Sequence, residues 1–525
     1  MKLSCLKSLV LIACLFLSAK QIFAQTGTYP IIDYGAVKNT GKTSTKALQA
    51  AVDACNANGG GDVIIPVGVF TIGTVQLKSN VHLYLQSGAV LKGSTNLNDY
   101  ESYMPDKPFN RVHKGMFFTE DAENVSITGE GQIDGSGDDF LDAKKAKKID
   151  TVTTRYTRQK NNFRHVETGI GDGPLEPKDR PYQMFVFSNC KRVTVKDVFI
   201  KSAPFWCMHF ADCDAVHVSG IRLWNNLLAP NADGIDVTSC TNVIIEGCDI
   251  RAGDDALAIV GYDHHFEIPG FKHIRHLSEN IIISNCNLQS ASSGIRVGFL
   301  DQNTVQNIRV SNVNITNSTR GIGIFLRDEG SLKNIVFSNI YIETKLRTGD
   351  WWGNGEPIHI SAIRGKENVK LGKIENVQFN NIQCKGEAGI LIYGTDESII
   401  QNVVFKNITF ELADSKLNDV AGGNIDLRGV MGEKNQIFAR NIPGLLAEHV
   451  DGLTIEDFKL TWTDPRMGFL SNGIEVNHFK NLKITNFQGT GAPNNPNTFP
   501  VKLKNGEGFQ TDLGKKSIHS AQVKP

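Results

Sequence analysis

Three aspartates in two short segments are the residues of this sequence best suited to acid–base chemistry. Asp233 lies in residues 231–236 (NADGID), and Asp254 and Asp255 lie in residues 253–255 (GDD). Crowded carboxyl groups repel one another, so at least one of them acquires a raised pKa. One can then donate a proton while another acts as a base. Cleavage of a glycosidic bond requires such a division of roles between carboxyl groups.

Two other interpretations fit the same aspartates. They can shape polar turns without taking part in a reaction, because aspartate is a common turn residue. They can also hold calcium, which prefers clustered hard oxygen ligands.

A short repeat predicts the elements that position these residues. Its pattern is Asn, then two apolar residues separated by one position, then a polar turn and a second apolar pair. The shortest steps between copies are 23 to 27 residues, and longer steps mark insertions. The copies begin at Val125, Val193, Val216, Val243, Ile281, Ile308, Ile335, Val377, Val403, Leu453 and Leu482. Alternating apolar residues at such an interval indicate a β-solenoid whose stacked coils share one core. A leucine-rich repeat is the nearest competitor, but its consensus leucines and helical half are missing.

The repeat places the aspartates on neighbouring coils. Asp233 and Asp255 are 22 positions apart in the sequence, about one coil. We therefore expect them on adjacent rungs, roughly 4.8 Å apart, with Asp254 beside them. The Asn residues that precede most copies are expected to stack as a ladder in the turns.

Two other segments have predicted roles in the solenoid. Apolar residues at helical spacing (Ala47, Leu48, Ala51, Val52 and Cys55) predict a short helix that covers the open N-terminal end. Residues 136–180 interrupt the repeat and are rich in Lys and Arg. They are either a solvated segment or a contact for an acidic glycan.

The N-terminus and the composition limit the class of protein. Residues 1–24 have the layout of a secretory signal peptide, which predicts a secreted or periplasmic protein. A lipoprotein tether through Cys14 is the alternative. No other window has the length of a membrane span. The 55 basic and 55 acidic residues argue against nucleic acid as a partner. Cys248 and Cys286 fall at apolar repeat positions and are expected to be small buried side chains.

The chain resembles glycoside hydrolase family 28, the polygalacturonases and their relatives, over nearly the whole mature sequence. The resemblance is carried by residues 33–36 (DYGA), 129–135 (GEGQIDG), 204–206 (PFW), 231–236 and 253–255. It implies an all-β, single-stranded right-handed parallel β-helix with an N-terminal capping helix. It also implies an inverting hydrolase of galacturonan or rhamnogalacturonan type, with Asp254 as general acid and with Asp233 and Asp255 holding the water.

The sequence departs from the family pattern at two places. Family members carry Gly-His-Gly where this chain has Ser292-Ser293-Gly294, and Arg-Ile-Lys where it has residues 323–325 (GIF). The histidine and the basic pair that hold a uronate are therefore missing at their positions. Our candidate substrate-binding residues are Asn231, Asp236, His209, Arg296 and Arg327. Arg296 is expected in an outward-facing column with His209 and Asp236, with a plain surface role as its alternative. Of the loop histidines His264, His265, His273 and His276, one is a further candidate to replace the missing histidine.

The predicted organisation is one catalytic domain over residues 25–525. Within it we expect an N-terminal cap and first coils (25–120), main coils (121–490) and a C-terminal tail (491–525). We expect a monomer with a polysaccharide substrate, no cofactor and no metal. Two other functions stay open. A polysaccharide lyase would use Ca²⁺ and an exposed Lys or Arg, and a non-catalytic glycan-binding solenoid would fit the missing histidine and basic pair.

Overall fold

The computed structural model describes residues 27–103, 113–147, 174–261, 277–299, 303–347, 351–365, 367–415, 441–466 and 468–524. The predicted signal peptide and the four loop histidines lie outside these ranges. Among the described residues, no helix combines the length and the hydrophobicity needed to cross a bilayer.

The N-terminal part contains one α-helix and the first strands. Helix α1 spans Thr45–Ala57, and its five predicted apolar residues are all buried. It packs against the first two strands, as expected of a cap over the open edge. The strands are β1 Gly27–Pro30, β2 Gly61–Ile65, β3 Gly68–Ile72, β4 Val81–Leu85, β5 Ala89–Gly93, β6 Phe117–Glu120, β7 Glu123–Gly129, β8 Gln132–Asp134 and β9 Leu141–Ala146. Short 3₁₀ turns cover Ile31–Tyr34, Leu97–Asp99 and Gly137–Phe140.

The middle part consists of short strands separated by turns. They are β10 Leu175–Pro177, β11 Phe185–Ser188, β12 Lys191–Lys196, β13 Phe199–Lys201, β14 Met208–Ala211, β15 Asp214–Ser219, β16 Arg222–Trp224, β17 Ile235–Thr238, β18 Thr241–Glu246, β19 Asp249–Ala252, β20 Leu257–Val260, β21 Ser278–Ser284, β22 Asn287–Ser290 and β23 Ser293–Phe299. Strands β9 and β10 form a separate antiparallel pair inside the basic segment 136–180.

The C-terminal part has longer strands. They are β24 Val305–Ser318, β25 Arg320–Leu326, β26 Leu332–Thr344, β27 Ile358–Ala362, β28 Ile374–Gly386, β29 Ile390–Tyr393, β30 Ile400–Ala413, β31 Leu445–Asp451, β32 Thr454–Thr463, β33 Ile474–Thr485, β34 Val501–Thr511 and β35 Ile518–Lys524. A 3₁₀ turn covers Lys515–Ser517. Within residues 491–525, β34 and β35 pair in parallel and extend the stack beyond β33.

Apart from the β9–β10 pair, the strands pair in parallel with their equivalents in neighbouring coils, so the predicted β-helix is confirmed. One sheet runs through β11, β14, β17, β20, β23, β25, β27, β29, β31 and β33. Because coils repeat the same strand positions, side chains at equivalent positions stack in columns along the axis. The candidate aspartates lie just before strands β17 and β20 of this sheet.

Stacked side chains fill the interior and the turns. Phe379 lies between Phe337 and Phe405, with ring centroids 5.1 and 4.8 Å apart. The predicted asparagine ladder is present: Asn376 donates to Asn334 and accepts from Asn402, each at 3.1 Å. These three residues have φ of 53° to 58°, a region that asparagine tolerates better than most residues. Cys248 and Cys286 are buried and free, as expected.

Candidate active site

Two turns on neighbouring coils place the three aspartates together. Asp233 precedes β17, and Asp254 and Asp255 separate β19 from β20. Strands β17 and β20 pair with Ile235 opposite Leu257, so the same register puts Asp233 opposite Asp255. The backbone N–H of Gly234 donates to the carbonyl of Asp255 at 2.9 Å, which ties the two turns together.

The three carboxyl groups form one buried cluster. One oxygen from each lies within 4.8 Å of the others. Asp233 and Asp255 are 2% exposed and Asp254 is 4% exposed. Burial, followed by the repulsion of Asp254, raises the pKa of Asp233 well above its usual value. Among the described residues, Asp233 Oδ1 has no hydrogen-bond partner. The cluster is therefore a place where a carboxyl group keeps its proton to unusually high pH.

Asp255 is held in a fixed orientation by a set of hydrogen-bond donors. Its Oδ1 accepts from Ser292 Oγ at 2.9 Å and from the Ser293 backbone N–H at 3.0 Å. Its Oδ2 accepts from Arg296 Nε. Arg296 also donates from Nη1 to the carbonyl of Gly298 at 3.0 Å. Two fixed donors and a buried guanidinium stabilise a carboxylate in a set orientation.

The predicted column of His209, Asp236 and Arg296 is present. His209 pairs with Asp236, and Ala258 separates Asp236 from Arg296. The surface interpretation of Arg296 is wrong, because it is 7% exposed, and its two column partners are also buried. Its hydrogen bonds to Asp255 and Gly298 explain how an outward-facing arginine becomes enclosed. Burial lowers the pKa of His209 to about 3, so this ring is neutral, and it lies 2.8 Å from Thr238 Oγ1.

Asp236 is a fourth buried carboxyl group close to the cluster. Burial raises its pKa well above the usual value, and Arg296 opposes that effect. Among the described residues its Oδ2 has no hydrogen-bond partner. Arg296 is thus a buried cation next to several acidic groups that repel one another.

Asn231 and Arg180 close another side of the cluster. Asn231 has φ of 58°, and its Nδ2 lies 3.5 Å from Asp254 Oδ2. Arg180 donates from Nη1 to the carbonyls of Pro204 and Pro230 at 2.8 and 2.9 Å. Its Nη2 lies 3.4 Å from Asn231 Oδ1. Burial lowers the pKa of Arg180 to about 10, and the charges of Asp233 and Asp254 act in the opposite direction.

Arg180 was missed by the sequence analysis. It belongs to no repeat copy and joins the site across more than 50 positions of sequence, so spacing gave no signal for it. Of the proposed substrate-binding residues, Arg327 lies directly after β25, on a coil beyond the aspartate cluster. It donates to the carbonyl and hydroxyl oxygens of Ser361 at 2.9 and 2.8 Å and lies over Phe325.

Aromatic rings border the cluster on its N-terminal side. Trp206 lies one coil before Asp233 in the same register, because Cys207 N–H donates to the carbonyl of Asp233. The Trp206 ring stacks with Phe205 at 5.7 Å and meets His209 edge-on at 5.2 Å. Phe205 in turn carries the Arg180 guanidinium at 4.9 Å. A partly exposed aromatic face beside acidic groups suits the apolar face of a sugar ring.

The donor set also bears on a metal. Three carboxylates are suitable ligands for a hard cation such as Ca²⁺, which takes 6 to 8 oxygens. Here Arg296 already donates to Asp255, so its positive charge occupies the place next to one of the three groups. A guanidinium in that place disfavours a second cation, and the cluster fits proton transfer better than metal binding.

The structure is thus a parallel β-helix that carries a cluster of buried carboxyl groups next to one of its sheets. The model for glycosyl hydrolases family 28 matches residues 55–349, more than half of the chain and including all three aspartates. The chain therefore belongs to glycosyl hydrolases family 28.

Individual relatives are distant. A probable polygalacturonase of Vitis vinifera is 26% identical over 247 residues, 45% of each chain. An exo-poly-alpha-D-galacturonosidase of Dickeya chrysanthemi is 27% identical over 251 residues, 43% of this chain and 41% of the relative. The matched regions thus span less than half of these relatives. An exopolygalacturonase structure from Thermotoga maritima superposes with a TM-score of 0.58 at 20% identity, covering 84% of this chain and 93% of that one. That likeness shows the fold, a right-handed parallel β-helix.

Proposed function

We propose that this protein hydrolyses the glycosidic bonds of a pectic polysaccharide of galacturonan or rhamnogalacturonan type. The observation that carries the proposal is the cluster of Asp233, Asp254 and Asp255, with oxygens within 4.8 Å of one another. The family match supports hydrolysis over the lyase alternative. The names of the relatives, which are polygalacturonases, support a galacturonic acid backbone as substrate.

In the proposed mechanism, Asp254 protonates the leaving oxygen, and Asp233 and Asp255 hold the attacking water. A water molecule that donates one hydrogen bond of about 2.8 Å to each carboxylate bridges oxygens about 4.6 Å apart, if its two O–H bonds have the tetrahedral angle. The observed limit of 4.8 Å is compatible with such a water. This water gives one proton to Asp233 or Asp255 as its oxygen bonds to the anomeric carbon, the bond to the protonated leaving oxygen breaks in the same step, and the anomeric carbon is inverted.

The distance between the carboxyl groups, taken alone, does not favour an inverting mechanism. Inverting enzymes commonly have their two carboxyl groups about 6.5–9.5 Å apart, and retaining enzymes about 5–5.5 Å apart. The cluster is tighter than the inverting range. The rule concerns the acid and its partner carboxylate, here Asp254 with Asp233 or Asp255, so it does not support inversion. We favour inversion because Asp233 and Asp255 lie opposite each other on adjacent coils and can face the same water.

The charges in the site suit an acidic sugar. Arg180 and Arg296 are the cations next to the aspartates, and arginine recognises planar carboxylates well. Asn231, Asp236 and His209 would complete the sugar-binding surface, with Arg327 as a more distant contributor. We further propose that residues 1–24 direct export and that residues 25–525 act as a single catalytic domain.

The direct test is the release of reducing ends from polygalacturonate, rhamnogalacturonan and neutral glycans. Asp254→Asn should lower release by about 10²- to 10⁴-fold. Asp249→Asn is the matched control, because Asp249 lies on β19 and accepts from Trp224 Nε1 outside the cluster. Release that is equal in both variants, or absent from every pectic glycan, would refute the proposal. An ultraviolet-absorbing unsaturated product that disappears with chelator would establish the lyase instead.

A further inference from the structure

A second cluster of chemically competent side chains lies far along the stack, on strands β31 and β33. Glu448, His449 and His478 each place one ligand atom within 4.8 Å of the other two. The cluster borders a surface cavity of about 390 Å³. Nothing in the proposed hydrolysis uses these residues, because the three aspartates lie on coils near the middle of the chain.

The backbone brings the two histidines together in an unusual way. His449 and His478 have φ of 51° and 49°. Most other non-glycine residues with positive φ in the described chain are Asn or Asp. Glu448 pairs with Asn477 in the register of β31 and β33, so the two histidines occupy equivalent positions on adjacent coils. Their rings stack with centroids 4.6 Å apart and planes 10° apart.

We propose that Glu448, His449 and His478 form a binding site for a divalent transition-metal ion of the zinc type. Two imidazoles and one carboxylate, with the remaining position open to water, are a common ligand set for this ion. The inference does not depend on the proposed hydrolase activity.

The distances fit such an ion. With metal–ligand bonds of about 2.0–2.1 Å, the ligand atoms of a tetrahedral zinc site lie about 3.4 Å apart. Glu448 Oε1 lies 2.8 Å from His478 Nδ1 and 3.8 Å from His449 Nε2. Shifts of about half an ångström bring both pairs to the required separation. One of the two stacked rings must also rotate, because a metal ion lies in the plane of each imidazole that binds it.

The surrounding groups orient the three ligands. Asn477 Nδ2 donates to both oxygens of Glu448, at 2.9 and 3.1 Å. The other ring nitrogen of His449, Nδ1, lies 3.2 Å from Asp396 Oδ1. Metal-binding histidines commonly hold a carboxylate through their second nitrogen, which fixes the ring and its tautomer. Burial lowers the pKa of His449, and the neutral ring is the form that binds metal.

The test is equilibrium dialysis of the full chain, without an affinity tag, against Zn²⁺, followed by metal analysis. His478→Asn removes one ligand and keeps a residue that tolerates this backbone, since Asn505 has φ of 52° at the next coil. We expect it to bind one Zn²⁺ fewer per chain than the native protein. Asp396→Asn, which changes only the carboxylate behind His449, should weaken that site by about 10-fold.

His217→Asn is the matched control, because His217 lies 2.9 Å from Glu246 but belongs to no group of three possible ligands among the described residues. Histidines elsewhere in the chain contribute equally to the native protein and to every variant. Should His478→Asn fold poorly, His449→Asn and the Co²⁺ absorption spectrum provide the same comparison. Equal Zn²⁺ stoichiometry and affinity in the native protein, His478→Asn and His449→Asn would overturn the proposal.

Discussion

Replacing Arg296 with methionine removes the cation that faces Asp255 and opposes the raised pKa of Asp233 and Asp236. Both members of the Arg296–Asp255 pair are buried, with side-chain exposures of 8% and 2%. Loss of one member of a buried pair leaves an uncompensated charge and costs about 3–5 kcal/mol of unfolding free energy. Urea denaturation at neutral pH measures this loss.

The same substitution should change the pH dependence of catalysis. The Arg296 guanidinium contacts Asp255, and Asp233 lies one coil further away. With coils about 4.8 Å apart, the guanidinium is about 7 Å from the Asp233 carboxyl group. At an effective dielectric constant of about 20, their attraction is about 2 kcal/mol, equivalent to one to two pH units. Asp233 must be ionised to hold the attacking water. Without the cation its pKa rises further, so the acid limb of kcat/KM should move to higher pH.

Arg320→Met is the control for this experiment. Arg320 forms an equally buried pair with Glu356, at 2.7 Å, so its loss should cost similar stability. It lies three coils from Asp233, because Ser293 pairs with Arg320 and Ser293 N–H contacts Asp255. We expect the acid limb of kcat/KM to move less than half as far in Arg320→Met as in Arg296→Met. An acid limb that stays in place in Arg296→Met, or moves equally in both variants, would refute the electrostatic reasoning.

Three further predictions concern stability. Asp236→Asn should stabilise the protein at pH 7, because burial raises the pKa of this carboxyl group well above its usual value and the amide does not titrate. The gain should shrink by at most about 1.4 kcal/mol per pH unit as pH falls toward about 4, and a gain that grows on acidification would contradict the sign. Phe379→Ala should lower the free energy of unfolding by about 3–5 kcal/mol, because the Phe379 ring is buried and stacked on both sides. The exposed control Tyr84→Ala should lower it by less than about 1 kcal/mol in the same denaturant titration. Asn334→Ala should lower the free energy of unfolding by about 1–2 kcal/mol, and Asn334→Gly should lower it less, because glycine adopts the φ of 58° at this position without strain. Equal losses would mean that the ladder hydrogen bonds, and not the backbone conformation, determine the effect.

The regular part of the molecule could be predicted from the sequence because it repeats. The register that puts Asp233 opposite Asp255 follows from the spacing of Val216, Val243 and their neighbours, which pair as the repeat requires. The asparagine ladder and the capping helix follow from the same local rules. Each of these features depends on residues close in sequence or one coil apart.

The enclosure of the site could not be predicted in the same way. An outward-facing column suggested an exposed Arg296, but the burial of a column depends on which donors and turns cover it. The His449–His478 stack, in contrast, was available from the sequence, because each histidine lies four positions before a repeat copy, at Leu453 and Leu482. Arg180 reaches Asn231 from outside the repeat. Such contacts depend on the lengths of the loops between coils, which periodicity does not specify.

The configuration of the first sugar released tests the central claim most directly. Proton NMR during the first minutes of polygalacturonate digestion resolves the new reducing end before it mutarotates. A water held jointly by Asp233 and Asp255 predicts that the new hemiacetal has the anomeric configuration opposite to that of the cleaved bond. A product that retains the configuration would contradict the account, because one of these aspartates would then have to attack the sugar itself.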